Sequence, residues 1–189
     1  MNVLTVKNYL LAFGLALVGA GAMAQTATIN FSGTVNAQTC VITASTTAGS
    51  TASVSSLTIT LPTVSNGLLT SGATLGKTVF YMGVYGCLAG VAGTTYTPKL
   101  YLSSSSASGG YLSTGITNLV LELLDKNSSS ISLTTTPTAF TNSSFSYTGV
   151  GAATAYENAF YIQYRASGGA VSSTGTTSAI AMNVVLQYS

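Results

Sequence analysis

The stretch Ala27-Thr28-Ile29-Asn30-Phe31-Ser32-Gly33-Thr34-Val35-Asn36-Ala37-Gln38-Thr39-Cys40, ATINFSGTVNAQTC, decides how this chain is read. Ile29, Phe31 and Val35 fall on alternate positions, the period of a strand with one buried face. Gly33 stands in the same row and has no side chain to bury. A glycine inside a strand marks a place where another backbone comes close. The segment therefore offers a sticky face with a hole in it.

The residues before it explain its position. Lys7 precedes the apolar run Tyr9 to Val18, and small residues follow, ending Ala22-Met23-Ala24. This is the layout of a secretory signal peptide with a small-residue cleavage site, so residues 1–24 are read as a leader and Gln25 as the mature N-terminus. A membrane anchor is the competing reading, but the uninterrupted apolar core is shorter than the roughly 20 residues a spanning helix needs. No later stretch is long and apolar enough to span, so the mature form is expected to have no transmembrane segment. Residues 25–38 are then an N-terminal extension and residues 39–189 the main domain. Ile29 is only the fifth residue of the mature chain.

Composition narrows the class. About 165 residues remain after cleavage, enough for one domain with a real core. Charged residues are 4% of the chain, against about 25% in ordinary soluble domains. The mature chain keeps Lys77, Lys99, Lys126 and Arg165 against Glu122, Asp125 and Glu157, a formal charge of +1. Such a charge gives no footprint for nucleic acid or an anionic membrane. Disorder is excluded because 47% of residues are hydrophobic. The surface must be built largely from Ser, Thr, Asn and Gly.

Cys40 and Cys87 are the two cysteines. In an exported chain an even pair is most simply one disulfide. Closing that 47-residue loop stabilises by roughly 4 kcal/mol in the chain-entropy model. A metal site lacks ligands, since the chain has no histidine and two thiols do not fill a tetrahedral shell. No metal and no cofactor are expected.

The rest reads as strands and polar loops. Val54 to Leu61 alternates at Leu57, Ile59 and Leu61 before Pro62. Thr78 to Cys87 is β-branched and aromatic, with glycines that suggest a bulge or bend. Further strands are expected over Pro98 to Leu102, Ile116 to Leu124, Ile131 to Leu133, Ala159 to Arg165 and the C-terminal AIAMNVVLQYS, with an edge piece at Phe145 and Tyr147. Ser103 to Gly110 and Ser167 to Thr177 read as loops. Asn118 to Asn127 also fits helical spacing, but Leu119, Leu121 and Leu123 alternate, no caps frame a helix, and Asp125-Lys126-Asn127 makes a turn. Short strands divided by such loops predict a β-sandwich or barrel.

Catalytic groups are scarce. Without histidine the acid–base candidates are three carboxylates, and nothing in the sequence brings Glu122 and Glu157 together as a glycosidase pair. No serine lies in a Gly-x-Ser-x-Gly elbow, and no phosphate loop or dinucleotide fingerprint occurs. The chain is not expected to be an enzyme. The sequons at Asn127 and Asn142 are what chance gives in so serine-rich a chain.

Five segments in order resemble one family. TINFSGTVNAQTC is similar to the N-terminal extension and first cysteine of pilin subunits of the chaperone–usher pathway. ITLPTVSNGLLTSGATLGKTVFYMGVYGC is similar to their segment reaching the second cysteine. LELLDKNSSSISL, FYIQYRASG and VVLQYS resemble later strands, the last with a penultimate tyrosine. The chain resembles most the major subunits of type 1-like fimbriae, although its extension before Ile29 is shorter than in many of them.

The resemblance implies an all-β fold, an incomplete immunoglobulin-like β-sandwich completed by a donor strand from a neighbouring subunit. Ile29, Phe31, Val35 and Ala37 would be inserted side chains, and Gly33 the position where the groove floor rises. Met182, Val184, Leu186 and Tyr188 would form the groove-edge strand that also binds the chaperone. It further implies a periplasmic chaperone, an outer-membrane usher and identical or related pilin subunits as partners. The destination would be a fimbrium at the cell surface, serving adhesion and biofilm formation. The alternative is a self-complete secreted β-sandwich such as a carbohydrate-binding module, against which the absence of tryptophan counts mildly.

Overall fold

Runs rich in Val, Ile, Leu and Tyr, cut by Ser/Thr/Gly stretches, give a chain of strands. The structure is a computed structural model and describes residues 22–23, 26–31, 41–86, 95–144, 147–148, 156–171 and 180–187. In chain order the strands are β1 (Ala22–Met23), β2 (Thr26–Phe31), β3 (Val41–Ser45), β4 (Ser56–Thr60), β5 (Val64–Ser65), β6 (Thr74–Tyr85), β7 (Thr95–Tyr96) and β8 (Lys99–Ser103). They continue as β9 (Ala107–Ser108), β10 (Tyr111–Ser113), β11 (Leu119–Leu124), β12 (Thr138–Ser144), β13 (Tyr147–Thr148), β14 (Tyr156–Ala166) and β15 (Ile180–Gln187). Among the described residues the only helical piece is a 3-10 turn at Asn66–Leu68.

Two sheets carry the fold. One has the order β3-β6-β14-β11-β10-β9, the other β12-β8-β15-β2-β4. Their apolar faces share one core. Phe80, Met82, Val84, Leu121, Leu123, Phe160 and Ile162 come from the first sheet, and Ile29, Ile59, Leu100, Leu102, Met182, Val184 and Leu186 from the second. Phe140 of β12 meets Phe160 of β14 edge to face at 5.7 Å across the layers, a favoured aromatic geometry. The expected all-β sandwich is what the chain forms. The pairs β1·β5 and β13·β7 stand as small ribbons, and β1 lies within the residues assigned to the leader.

Several details differ from the sequence reading. The turn-rich stretch Ser103 to Gly110 contains β9, and Ile131 to Leu133 joins the sheet only through isolated bridges such as Gly110 with Leu133. Phe145 lies outside the described residues. The bulge is also elsewhere. Gly83 sits in a regular ladder opposite Glu157 and Thr43, where an added Cβ would meet the Tyr156 carbonyl oxygen and approach Glu157 Cα at 2.8 Å. The register instead shifts between Ile162 and Tyr164, where Gln163 alone spans Gly76 and Lys77. Gly76 takes φ +68° there, a backbone conformation L side chains avoid.

Asn118 to Asn127 resolves as the strand reading predicts. Leu119, Leu121 and Leu123 face the core. The turn that follows is fixed by Asp125, whose Oδ1 accepts hydrogen bonds from the amides of Asn127 and Ser129, both at 2.8 Å. This side chain replaces two backbone partners at once, as Asp does in turns.

Candidate functional site

The site is the slot between β15 and β4, and β2 fills it. Ala27, Ile29 and Phe31 lie beside Ile180, Met182 and Val184 of β15 in parallel register. On the other side Ala27 and Ile29 lie opposite Ile59 and Leu57 of β4, antiparallel. Every other described strand pair in the two main sheets is antiparallel, so among the described residues β2·β15 is the one parallel ladder.

Burial shows what the slot does. Ile29 retains 1% of its exposure, and Ile180, Met182, Val184, Leu186 and Ile59 are buried beside it. Burying one such side chain is worth roughly 1.5–3 kcal/mol. β15 is anchored on its far edge by β8 over Asn183 to Gln187, and the Ser104 hydroxyl donates to the Ala181 carbonyl at 2.6 Å. Among the described residues, the neighbour of β4 in its sheet is β2, and Ile59 of β4 is buried in the shared core.

The residues expected to act together divide as follows. Ile29 and Phe31 are on β2, and Met182, Val184 and Leu186 are on β15, as neighbours in one sheet. Gly33, Val35, Ala37, Tyr188, Cys40 and Cys87 lie outside the described residues. Val41 and Tyr85, close in sequence to the two cysteines, are partners across β3 and β6. The sequence reading missed β4 as the opposite wall. Its alternation at Leu57, Ile59 and Leu61 was legible, but its partner was not.

The strand in the slot belongs to the same chain. The sequence reading assigns the Ile29 row to a neighbour's groove, whereas in a single chain it fills the chain's own. The two carboxylates weighed as a glycosidase pair are held apart. Glu122 pairs with Gln163 on β14, and Glu157 is six residues along that strand, roughly 20 Å away at the strand rise. Glycosidase carboxyls stand about 5–10 Å apart. No helix among the described residues is long and apolar enough to cross a membrane.

No family model matches the chain, and no curated protein matches it. Among solved structures it is similar to a Burkholderia pseudomallei antigen and type I fimbria protein, with TM-score 0.39 and 18% identity over 87% of this chain and 92% of that one. It is also similar to the CupB6 tip adhesin of Pseudomonas aeruginosa, with TM-score 0.41 and 12% identity over 61% of this chain and 34% of that one. The chain thus spans about a third of the adhesin's length.

Proposed function

We propose that the chain is a structural subunit of a bacterial surface fibre that polymerises head to tail by donor-strand exchange. The observation that supports this is the place of β2, an N-terminal strand inserted between β15 and β4 with Ile29 sunk in the core. A strand that completes a core from one end of the chain is transferable. Swapped into the slot of the next copy, it links the two through main-chain bonds and buried side chains. The contact is heterologous and does not close on itself, so repetition gives a filament.

On this reading a periplasmic chaperone fills the slot during export and an outer-membrane usher presides over the exchange. Identical or related subunits are the lasting partners, and the fibre serves adhesion and biofilm formation. Residues 1–24 act as a cleaved leader, Cys40 and Cys87 form a disulfide, and catalysis has no part. A near-neutral, Ser/Thr-rich surface suits a fibre packed against its own copies.

One observation favours a second reading. The chain closes its sandwich unaided, as a self-complete secreted domain such as a carbohydrate-binding module would. Deleting residues 25–38 separates the two. For a fibre subunit the truncated domain is unstable alone, and a synthetic peptide spanning Gln25 to Gln38 restores a monomer with a sharply higher melting temperature, whereas a Phe31→Asp peptide does not. A truncated domain that is a stable monomer and ignores the peptide would overturn the fibre assignment.

A further inference from the structure

We propose that the outer face of the β3-β6-β14-β11 sheet carries a binding band for an acidic saccharide, a chain of sugar rings bearing carboxylates or sulfates. The band lies on the sheet that does not hold the slot. It therefore goes beyond the fibre reading and serves a fibre subunit or a self-complete domain alike.

The placement of charge is the first support. Three of the mature chain's four cations, Lys77, Lys126 and Arg165, converge on β6, β14 and the turn after β11. The Lys77 ammonium donates to the Ser128 hydroxyl at 2.8 Å, which ties β6 to the turn that holds Lys126. Lys77 and Lys126 are exposed, and Arg165 is partly exposed. The neighbouring carboxylates, Glu122 and Asp125, are buried. Glu122 is held by Gln163 and Arg165, and Asp125 by the amides of Asn127 and Ser129. The local sum is three minus two, +1, yet solvent meets the donors while the compensating charge is sunk beneath them.

The aromatic residues are the second support. Antiparallel sheets commonly turn polar residues to solvent, but the outward row here sets Val79 and Tyr81 of β6 beside Tyr161 and Ala159 of β14. Tyr81 is half-buried, and its cross-strand neighbours Ser45 and Ala159 are small, which leaves room beside its ring. Tyr161 stands diagonal to it, about 7–8 Å away, with the Lys77 ammonium 4.1 Å from its ring centre. Arg165 covers Tyr111 in the same manner at 5.3 Å. From Tyr81 to Arg165 the band runs roughly 20 Å, the reach of several linked sugars.

An acidic saccharide matches both features. A sugar ring offers an apolar face to a tyrosine, and its carboxylate or sulfate accepts charge-assisted hydrogen bonds from lysine and arginine. Other occupants fit worse. A nucleic acid duplex is held by neutralising many phosphates at once. A second copy of this chain has Glu157 as its one side-chain carboxylate outside the buried pair, and Glu157 Oε1 already accepts from the Gly49 amide at 2.7 Å.

The test is calorimetric titration of the intact mature chain with an oligogalacturonate, its methyl ester, a heparin fragment and a DNA duplex. Saturable binding of the oligogalacturonate or the heparin fragment is expected, the stronger of the two telling carboxylate from sulfate, with the ester and the duplex bound about tenfold more weakly or not at all. Lys77→Ala combined with Lys126→Ala should weaken binding about tenfold, the loss of roughly one charge-assisted hydrogen bond. Both side chains are exposed, so the melting temperature should stay near that of the unsubstituted chain. Lys99→Ala, on β8 of the other sheet, should leave binding unchanged. Binding of neither acidic sugar, equal binding of the ester or the duplex, or a loss with Lys99→Ala as large as with the pair overturns the proposal. None of these results bears on strand insertion, which the deletion of residues 25–38 tests by itself.

Discussion

Glu122 lies on the outward row of β11, yet its side chain keeps only 5% of its exposure. Gln163 donates to Oε2 at 2.9 Å, and Arg165 Nη1 reaches both oxygens at 3.2 and 3.3 Å. Arg165 is 34% exposed and lies over the Tyr111 ring. The two partners are therefore unequal. Arg165→Ala strands a buried carboxylate with one amide, at a cost of about 2–3 kcal/mol, whereas Glu122→Ala leaves a guanidinium that water and Tyr111 still serve, at about 1 kcal/mol. Urea titrations of both variants check the order, and the reverse order would mean that Glu122 is not the dependent partner. None of this was legible in sequence, because Glu122 and Arg165 are far apart in the chain and meet only through the β11–β14 register.

At the scale of elements, alternation was a dependable guide where both faces of a strand differ. Leu119-Leu121-Leu123, Leu57-Ile59-Leu61 and Met182-Val184-Leu186 all turned their apolar row to the core. It failed where sequence lacks contrast. β12, TAFTNSS, has no alternating apolar row and is placed by pairing with β8 and by Phe140 packing on Phe160, and β9 has two residues in a serine loop. The glycines of Thr78 to Cys87 suggested a bulge or bend, but the bulge falls just before them, at Gly76, whose φ is +68°, while Gly83 keeps to a regular ladder. Gly76→Ala should cost about 2 kcal/mol or more, from a left-handed backbone and a Cβ 2.9 Å from the Tyr164 ring. Thermal melting should show the loss, and an unchanged melt would mean the bulge relaxes. The candidate slot was half readable in the same way: its filler and one wall stand out as terminal alternating strands, while β4 is a wall only through topology.

For the whole molecule, stability is distributed over long-range pairings, so constraints on the unfolded chain matter. Replacing Cys40 and Cys87 together by serine should lower stability by roughly 4 kcal/mol if the disulfide is formed. Free-thiol titration of the denatured wild-type chain supplies the control. Two reactive thiols there would remove the bridge from the account. With so few charges, association of mature chains should change little between low and high salt. A strong salt dependence, read by sedimentation, would point to contacts other than strand insertion.

The walls of the slot run in opposite directions, since β2 is parallel to β15 and antiparallel to β4. Whichever way a strand enters, its backbone finds one parallel and one antiparallel neighbour. Hydrogen bonding alone is thus nearly blind to the sense of the incoming chain. A filament needs every link to point the same way, so its arrow must be written in side chains, by which pocket takes a bulky residue and which demands a glycine. Polarity would then be a matter of spelling, and moving the glycine within the strand would reverse or abolish it while every strand partner stayed in place.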